Sequence, residues 1–376
     1  MSGDDLFRLA DWFGPARIVH LHDQAAGLKA LLVIDNVAAG PAIGGIRLAR
    51  DGTIEECFRL ARAMTLKGAA AGLPHGGAKA IILADARAPV DVREPLLRAF
   101  ARAIARYPEY IPGPDMGTDE TAMAWVKDEI GRAIGLPAER GGIPLDRIGA
   151  TGLGVSVATE IAAQHYGLPL AGARVAVQGF GAVGRHAARF LVEKGARVVA
   201  VADASGFLYD PVGIDVPSLF RQAEAGKLLT DVFGVEVVRP RDDIVAVPCD
   251  IFVPAARPDV IDEGNVAALT ARLVVQGANI PITASAEQAL HARGVLSVPD
   301  FIANAGGLIC GAVEYRGGTA EEALALVRIK VAENTALTLH EAAMRAVTPR
   351  EAAVAMAEQR LREVTARRRL SVAHAA

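Results

Sequence analysis

Arg174-Val175-Ala176-Val177-Gln178-Gly179-Phe180-Gly181-Ala182-Val183-Gly184 decides the fold. A short strand pattern runs straight into glycines spaced G-x-G-x-x-G. A helical pattern follows, with Val183, Ala187, Phe190 and Leu191 on one face. A second strand, Arg197 to Ala202, then ends in Asp203, 24 residues after Gly179. Each part has a physical reason. Gly179 makes the tight turn, Gly181 lets backbone approach a pyrophosphate, and Gly184 allows helix and strand to pack closely. Backbone N–H groups at the helix N-terminus, around Phe180, Ala182 and Val183, meet phosphate charge. Asp203 is placed to accept hydrogen bonds from ribose hydroxyls and to repel a 2′-phosphate, so NAD is expected over NADP. The order strand, turn, helix, strand, acid predicts a Rossmann-like, doubly wound dinucleotide-binding domain.

Outward from this stretch, 376 residues allow a second domain with its own core. Hydrophobic residues make up 52% of the chain and mean hydropathy is +0.28, which excludes a disordered protein. Ala, Val, Leu and Ile dominate, with aromatics at only 5%, as suits helices on a parallel sheet. A net charge of −3 gives no reason to expect nucleic acid, and no apolar run is long enough to span a membrane. The start Met1-Ser2-Gly3-Asp4-Asp5 is acidic and lacks a basic-then-apolar leader pattern. Cys57, Cys249 and Cys310 stand singly, with no C-x-x-C and no paired His. They read as buried hydrophobes in a reducing compartment, with no metal site. A soluble, cytoplasmic protein is expected.

The region before residue 146 mixes strand and helix signals, whereas 147–321 alternates strand and helix and 322–376 is purely helical, ending in the basic tail Arg367-Arg368-Arg369. The expected organisation is α/β: an N-terminal α/β domain over 1–146, the dinucleotide domain over 147–321 across a cleft from it, and C-terminal helices over 322–376 packing back toward the first domain. Within the first domain, 28–37 reads as a strand and 54–71 as a helix buried through Cys57, Leu60, Ala61, Met64 and Gly68. Lys67 lies at the edge of that stripe. Leu73-Pro74-His75-Gly76-Gly77 ends the helix, and Lys79 opens an apolar strand over 80–83. A helix over 95–107 leads to Ile111-Pro112-Gly113-Pro114-Asp115, read as a rigid loop, with Thr118 or Asp119 capping the next helix.

Only seven of the 40 basic residues are lysine. Arg holds its proton at ordinary pH whereas a buried Lys can release it, so Lys67 and Lys79 in an apolar, glycine-rich setting are candidates for a site. The stretch 72–79 superficially matches a P-loop, but Ala78 displaces the lysine and no hydroxyl follows, so a P-loop is rejected.

The ordered motifs Gly44-Gly45, Lys67, Gly76-Gly77-Ala78-Lys79, Gly113-Pro114-Asp115-Met116-Gly117-Thr118, Ala150-Thr151-Gly152, GxGxxG and Asn304-Ala305-Gly306-Gly307 resemble the glutamate/leucine/phenylalanine/valine dehydrogenases over about residues 14–365. The resemblance implies NAD-dependent oxidative deamination of an L-amino acid to a 2-oxo acid and ammonium, and a homo-oligomer built through the first domain. By it, Lys67 holds the substrate α-carboxylate, Lys79 is the general base and Asp115 shares its protons. Gly44 backbone lies near the substrate, Thr151 and Asn279 contact the nicotinamide carboxamide, Ala255 completes the cofactor site and Asn304 closes the pocket. Glutamate-specific members carry a lysine just before the early Gly-Gly and a serine four residues beyond the late one. Here those positions are Ile43 and Gly311, which disfavours glutamate and favours an apolar side chain. The expected lining is Ile43, Gly113, Leu308 and Gly311, and its two glycines imply room for Phe or another large side chain. Glu314-Tyr315 is closer to the glutamate branch.

Two other classes of protein fit the sequence less well. A hydroxyacid dehydrogenase would need a His base with a carboxylate-binding Arg, but His165, His186 and His291 lie in helical patterns and read as structural, and His75 reads as filling the turn. A catalytically silent NAD-binding relative conflicts with the intact Lys67, Lys79 and Asp115 set.

Overall fold

A computed structural model describes residues 7–234 and 239–373. The acidic start, Met1 to Asp5, lies outside them, as do the side chains of Arg368 and Arg369. The chain forms two compact units. One comprises Met1–Pro144, Leu308–Ala323 and Ala357–Ala376; the other comprises Leu145–Gly307 and Leu324–Met356.

The first unit is built on a five-stranded sheet of order β1-β2-β4-β3-β5 (Arg17–Asp23, Leu28–Asn36, Gly76–Ile82, Ala42–Leu48, Tyr110–Pro114). Strands β3, β4 and β5 run parallel; β2 pairs antiparallel with β4, and β1 pairs antiparallel with β2. Alternation along the strands sorts the side chains. Ala30, Leu32 and Ile34 on β2, Ile46 and Leu48 on β3, and Ala78, Ala80 and Ile82 on β4 bury against helices α2 (Val90–Ile104) and α3 (Glu120–Ile130). Leu31, Val33 and Ile81 point the other way, onto Cys57 and Ala61 of helix α1 (Ile54–Ala70). Thr53 caps α1 by accepting from Glu56 N–H.

Three local expectations change. Lys79 lies inside β4, which begins at Gly76, instead of opening a strand. Gly76 and Gly77 belong to the strand because a Cβ on Gly77 would fall 2.1 Å from Thr65 N, and one on Gly76 would fall 1.6 Å from Asn36 O. Helix α2 starts at Val90, ahead of Pro95, because the buried stripe Leu96, Leu97, Phe100 and Ile104 organises the preceding turn as well. Ile111 to Pro114 forms strand β5 and not a free loop. As an edge strand paired only with β3, β5 can tolerate two prolines. Asp119 caps α3, accepting from Ala122 N–H at 2.8 Å. Thr118 instead accepts from Asp115 N–H at 2.9 Å.

The second unit carries a six-stranded sheet of order β11-β10-β9-β6-β7-β8 (Leu296–Val298, Leu273–Val275, Ile251–Pro254, Arg174–Gln178, Arg197–Ala202, Phe207–Tyr209). All pairs are parallel except β7 with β8. The strand order reverses between β6 and β9, the crevice where doubly wound sheets bind ligands. Helix α4 (Ala150–His165) packs on helix α5 (Ala182–Glu193) so closely that a Cβ on Gly152 would fall 2.7 Å from Ala187 N. Three helices end the chain: α6 (Gly306–Tyr315), α7 (Ala320–Arg345) and α8 (Pro349–Ala373). The two units share these helices between them, Leu308–Ala323 and Ala357–Ala376 falling in the first and Leu324–Met356 in the second. The later part of α8 belongs with the first unit, where Arg360 donates to Ala69 O at the end of α1.

Candidate active site and dinucleotide cradle

Strand alternation brings the first cluster together. Lys79 shares its face of β4 with Ile81, and Gly45 and Arg47 share the corresponding face of β3. Asp115, just beyond β5, enters between them because Gly45 has no side chain: a Cβ there would lie 2.8 Å from Asp115 Cβ. Lys79 Nζ sits 2.9 Å from Asp115 Oδ2, and Arg47 Nε donates to the same oxygen at 2.7 Å. Arg47 Nη1 donates in turn to Glu56 Oε1 on α1 at 2.7 Å. The Lys79 side chain is only 6% exposed. Burial pulls its amine below the ordinary lysine range, Asp115 pushes back, and Arg47 adds to the lowering. Burial raises the Asp115 carboxyl, but Lys79 and Arg47 more than reverse that, leaving it below the ordinary aspartate value. The cluster thus holds an ionised carboxylate beside an amine biased toward losing its proton.

Lys67 lies in the last turn of α1, half-buried, on the helix whose neighbouring Gly68 packs near His75 O and the Leu308 side chain. Gly44 backbone is tightly held. Tyr110 O–H donates to Gly44 O at 3.0 Å, and a Cβ on Gly44 would lie 1.9 Å from Ala78 O. His75 is buried and its Nδ1 lies 3.1 Å from Pro41 O. Burial lowers its pKa and that carbonyl opposes the lowering.

Ile43 and Leu308 are buried apolar side chains. The space beside the two glycines is taken. A Cβ on Gly113 would meet Ile134 Cγ1 at 3.0 Å, and one on Gly311 would meet Ile134 Cδ1 at 2.6 Å. The room expected from those glycines is therefore filled by Ile134, a residue sequence reasoning missed. Arg47 and Glu56 were missed too. The available signal for Arg47 was its even spacing from Gly45 on a strand parallel to that of Lys79.

The second cluster lies at the C-terminal ends of β6, β9 and β10. Gly179 has φ +101° and a Cβ there would fall 2.7 Å from Ala256 Cβ, while a Cβ on Gly184 would fall 1.7 Å from Gly179 O. Gly181, by contrast, faces open space, and no side chain caps the N-terminus of α5. Backbone N–H groups are thus presented to a phosphate, as the motif requires. Gly277 packs against Ala255, and Asn304 Nδ2 donates to Gly277 O at 3.3 Å and to Asn279 Oδ1 at 3.1 Å. Asn304 Oδ1 remains buried without a hydrogen-bond partner among the described residues, an acceptor suited to a carboxamide N–H. Thr151 lies in the first turn of α4, its Oγ1 3.1 Å from where a Gly307 Cβ would be. Asp203 ends β7 as expected but is already engaged: Oδ1 accepts from Ser205 N–H and O–H, and Oδ2 accepts from Leu229 N–H at 2.7 Å. These residues fit a dinucleotide. Among the described residues no cluster suits a metal ion, and no helix is long and apolar enough to cross a membrane.

Fold and site together define a class: an α/β dehydrogenase with a Rossmann-like sheet and a second sheet that carries a lysine–carboxylate pair. A family model described as Glutamate/Leucine/Phenylalanine/Valine dehydrogenase matches residues 141–369, and its companion, the Glu/Leu/Phe/Val dehydrogenase dimerisation domain, matches 15–132. The chain belongs to this family of amino-acid dehydrogenases. It is 39% identical to a glutamate dehydrogenase of Aeropyrum pernix over 80% of this chain and 76% of that one. It is 37% identical to an NAD-specific glutamate dehydrogenase of Staphylococcus aureus, covering 74% and 70% respectively. Among solved structures, the hetero-hexameric glutamate dehydrogenase of Thermus thermophilus in a Leu-bound form superposes with a TM-score of 0.82 at 32% identity, covering 94% of this chain and 90% of that one. The L-tryptophan dehydrogenase of Nostoc punctiforme gives 0.74 at 27%, covering 96% and 99%.

Proposed function

We propose that this chain catalyses NAD-dependent, reversible oxidative deamination of an apolar L-amino acid, releasing the 2-oxo acid and ammonium. What supports the substrate class is that Ile43 and Leu308 are buried apolar side chains and that Ile134 packs against Gly113 and Gly311, with no charged group among these five. A glutamate side-chain carboxylate buried there without a cationic or hydroxyl partner would cost on the order of several kcal/mol. The Ile134 packing supports a branched aliphatic side chain over an aromatic one. A second reading, glutamate deamination, is favoured by the relatives named glutamate dehydrogenase.

A dinucleotide held by the Gly179–Gly184 cradle would supply the hydride acceptor for the substrate Cα. Lys67 anchors the α-carboxylate and so orients Cα, a positional contribution. Lys79, biased toward its neutral amine, takes a proton from the water that attacks the substrate iminium carbon. Asp115, ionised at rest, steadies the resulting ammonium, then takes its proton transiently and delivers it to the departing amino group, which leaves as ammonia when the C–N bond breaks. Arg can hold a carboxylate, but it cannot exchange a proton at ordinary pH, which explains a lysine at position 79. Thr151, Asn279 and Asn304 offer polar groups to a carboxamide, Ala255 offers an apolar wall, and Gly179 to Gly184 cradle the pyrophosphate. Asp203 acts on the ribose chiefly through its charge, and the name of the NAD-specific relative agrees with that cofactor choice. Self-association through residues 15–132 is inferred from the dimerisation-domain match and the hexameric neighbour.

Initial rates of NADH formation with L-Val, L-Leu, L-Ile, L-Phe, L-Trp and L-Glu test the reading, with Lys79→Arg as control. Turnover of aliphatic substrates with L-Glu poor is expected, and the control should lose at least roughly 100-fold in kcat. Robust turnover of L-Glu alone would overturn the apolar assignment.

A further inference from the structure

Beside the cradle, in the same compact unit, lies a buried polar network that the mechanism above does not use. Arg350, in the first turn of α8, forms ion pairs with Glu287 and, at 3.0 Å, with Asp300 Oδ1. It also donates to Gln276 Oε1 at 2.8 Å, and its guanidinium lies 5.8 Å from the Phe301 ring. Gln276 Nε2 donates onward to Glu287 Oε1 at 2.9 Å and Ser297 Oγ at 3.0 Å. Glu287, Asp300 and Gln276 are all buried.

The network brackets the segment that forms the cradle. Gln276 immediately precedes Gly277-Ala278-Asn279, and Asp300 lies one helical turn before Asn304, whose N–H donates to Asp300 O at 2.7 Å. Between them Ile280 sits at φ +50°, a conformation that a β-branched residue adopts only under constraint. Two contacts hold it there. Ile280 N–H donates to Asp300 Oδ2 at 3.0 Å, and Ile280 O accepts from the N–H of Asp259, itself at φ +52°. Asp300 thus meets the strained peptide with one oxygen and Arg350 with the other.

We propose that Arg350 is a positioning residue for the dinucleotide: through Asp300 and Gln276 it locks Ile280 in its strained conformation and thereby aims Asn279 and Asn304 at the nicotinamide end of the cofactor. The inference rests on the cofactor reading given above. A guanidinium is required because its planar fork donates to Glu287 and Gln276 through two nitrogens while its charge pairs with Asp300 Oδ1, three groups on three elements. A lysine amine would meet them only one at a time. Helix α8 is thereby tied to cofactor affinity although it contributes no cradle residue.

The test measures NADH affinity by fluorescence titration of the full chain, alongside KM and kcat, for Arg350→Met and Asp300→Asn. An asparagine can accept with only one side-chain atom, so it breaks one of the two contacts while keeping volume, and it carries the test if Arg350→Met fails to fold. Both variants should bind NADH about tenfold more weakly and raise KM for NAD in parallel, with KM for the amino acid at saturating NAD changed by less than about twofold. Adding Ile280→Gly should restore most of the lost affinity, because glycine reaches φ +50° without a clamp. Folded variants that bind NADH as the wild type does, or a loss that Ile280→Gly leaves untouched, would overturn the positioning role. A folded wild type that binds no NADH would instead bring down the cofactor reading, and this inference with it.

Discussion

Lys79 and Arg47 approach the same carboxylate oxygen, yet only one of them can give up a proton. Lys79 was legible because lysine is rare in this chain and its setting apolar. Arg47 was not, because one arginine among many carries no signal until strand alternation and the missing side chain of Gly45 bring it to Asp115. Its position has a kinetic consequence. The Arg47 charge helps to lower the Lys79 pKa, so Arg47→Met should let that pKa rise. A base must be neutral to act. The alkaline-rising limb of kcat/KM should therefore move to higher pH, and the rate near pH 8 should fall roughly tenfold to 100-fold. A pH–rate profile with the limb unmoved, in a variant shown to fold, would mean that Arg47 only braces Glu56. Asp203 shows the opposite limit. Its place after β7 was readable from local pattern, but its bonds to Ser205 and Leu229 N–H come from a part of the chain with no marked motif.

At the scale of elements, the turn from β6 to α5 was legible because its glycine spacing is itself a local pattern, although the Ala256 contact that keeps Gly179 bare is distant in sequence. Strand β4 starts earlier than its pattern suggests, and β5 stands where a loop is expected, because the deciding contacts, Thr65 on Gly77 and the pairing of β5 with β3, are distant in sequence. The segment following α3 was not readable at all. Arg132 binds Tyr110 O and Tyr107 O, Ile134 N–H donates to Pro112 O, and the buried Glu314 accepts from Leu136 and Ile143 N–H, so the segment is strapped between β5 and α6. Burial raises the Glu314 pKa, with those N–H groups opposing, which is consistent with a structural clamp. The strap presses Ile134 over Gly113 and Gly311. Ile134→Ala should reopen that space and raise the kcat/KM ratio of L-Phe to L-Val by roughly 10- to 100-fold. It should also lower stability by about 2–4 kcal/mol, since a 6%-exposed side chain is truncated. An unchanged ratio in a substrate panel would place the side-chain pocket elsewhere.

For the molecule as a whole, the division into two sheets of different topology was foreseeable, because a mixed pattern gives way to regular strand–helix alternation. The charge balance of the folded chain was not, since it depends on which groups become buried. The consequence is clearest in acid. Asp11, Asp115 and Asp250 all have lowered pKa values in the folded chain, so their stabilising contribution persists until the pH falls below the ordinary carboxylate range. His186 acts sooner. It is buried on α5 with its ring edge-on to Phe220 at 4.9 Å, and burial first, then Arg189 and Arg185, hold its pKa down to about 4, with Asp146 backbone opposing. The unfolded chain takes up this proton below about pH 6.5, whereas the folded chain resists until about pH 4. Stability is therefore lost progressively as pH falls through that window, by about 2 kcal/mol at pH 5 from this residue alone. Glu314 and Asp146 work in the opposite direction, because burial raises both carboxyls and acid relieves that burden. Comparing wild type with His186→Gln in denaturant unfolding between about pH 7 and pH 5 isolates the histidine, since every carboxylate is common to both chains. The variant should start less stable through lost packing on Phe220 yet show a flatter decline. Parallel declines would show that His186 is protonated in the folded chain and that the loss in this window comes from elsewhere.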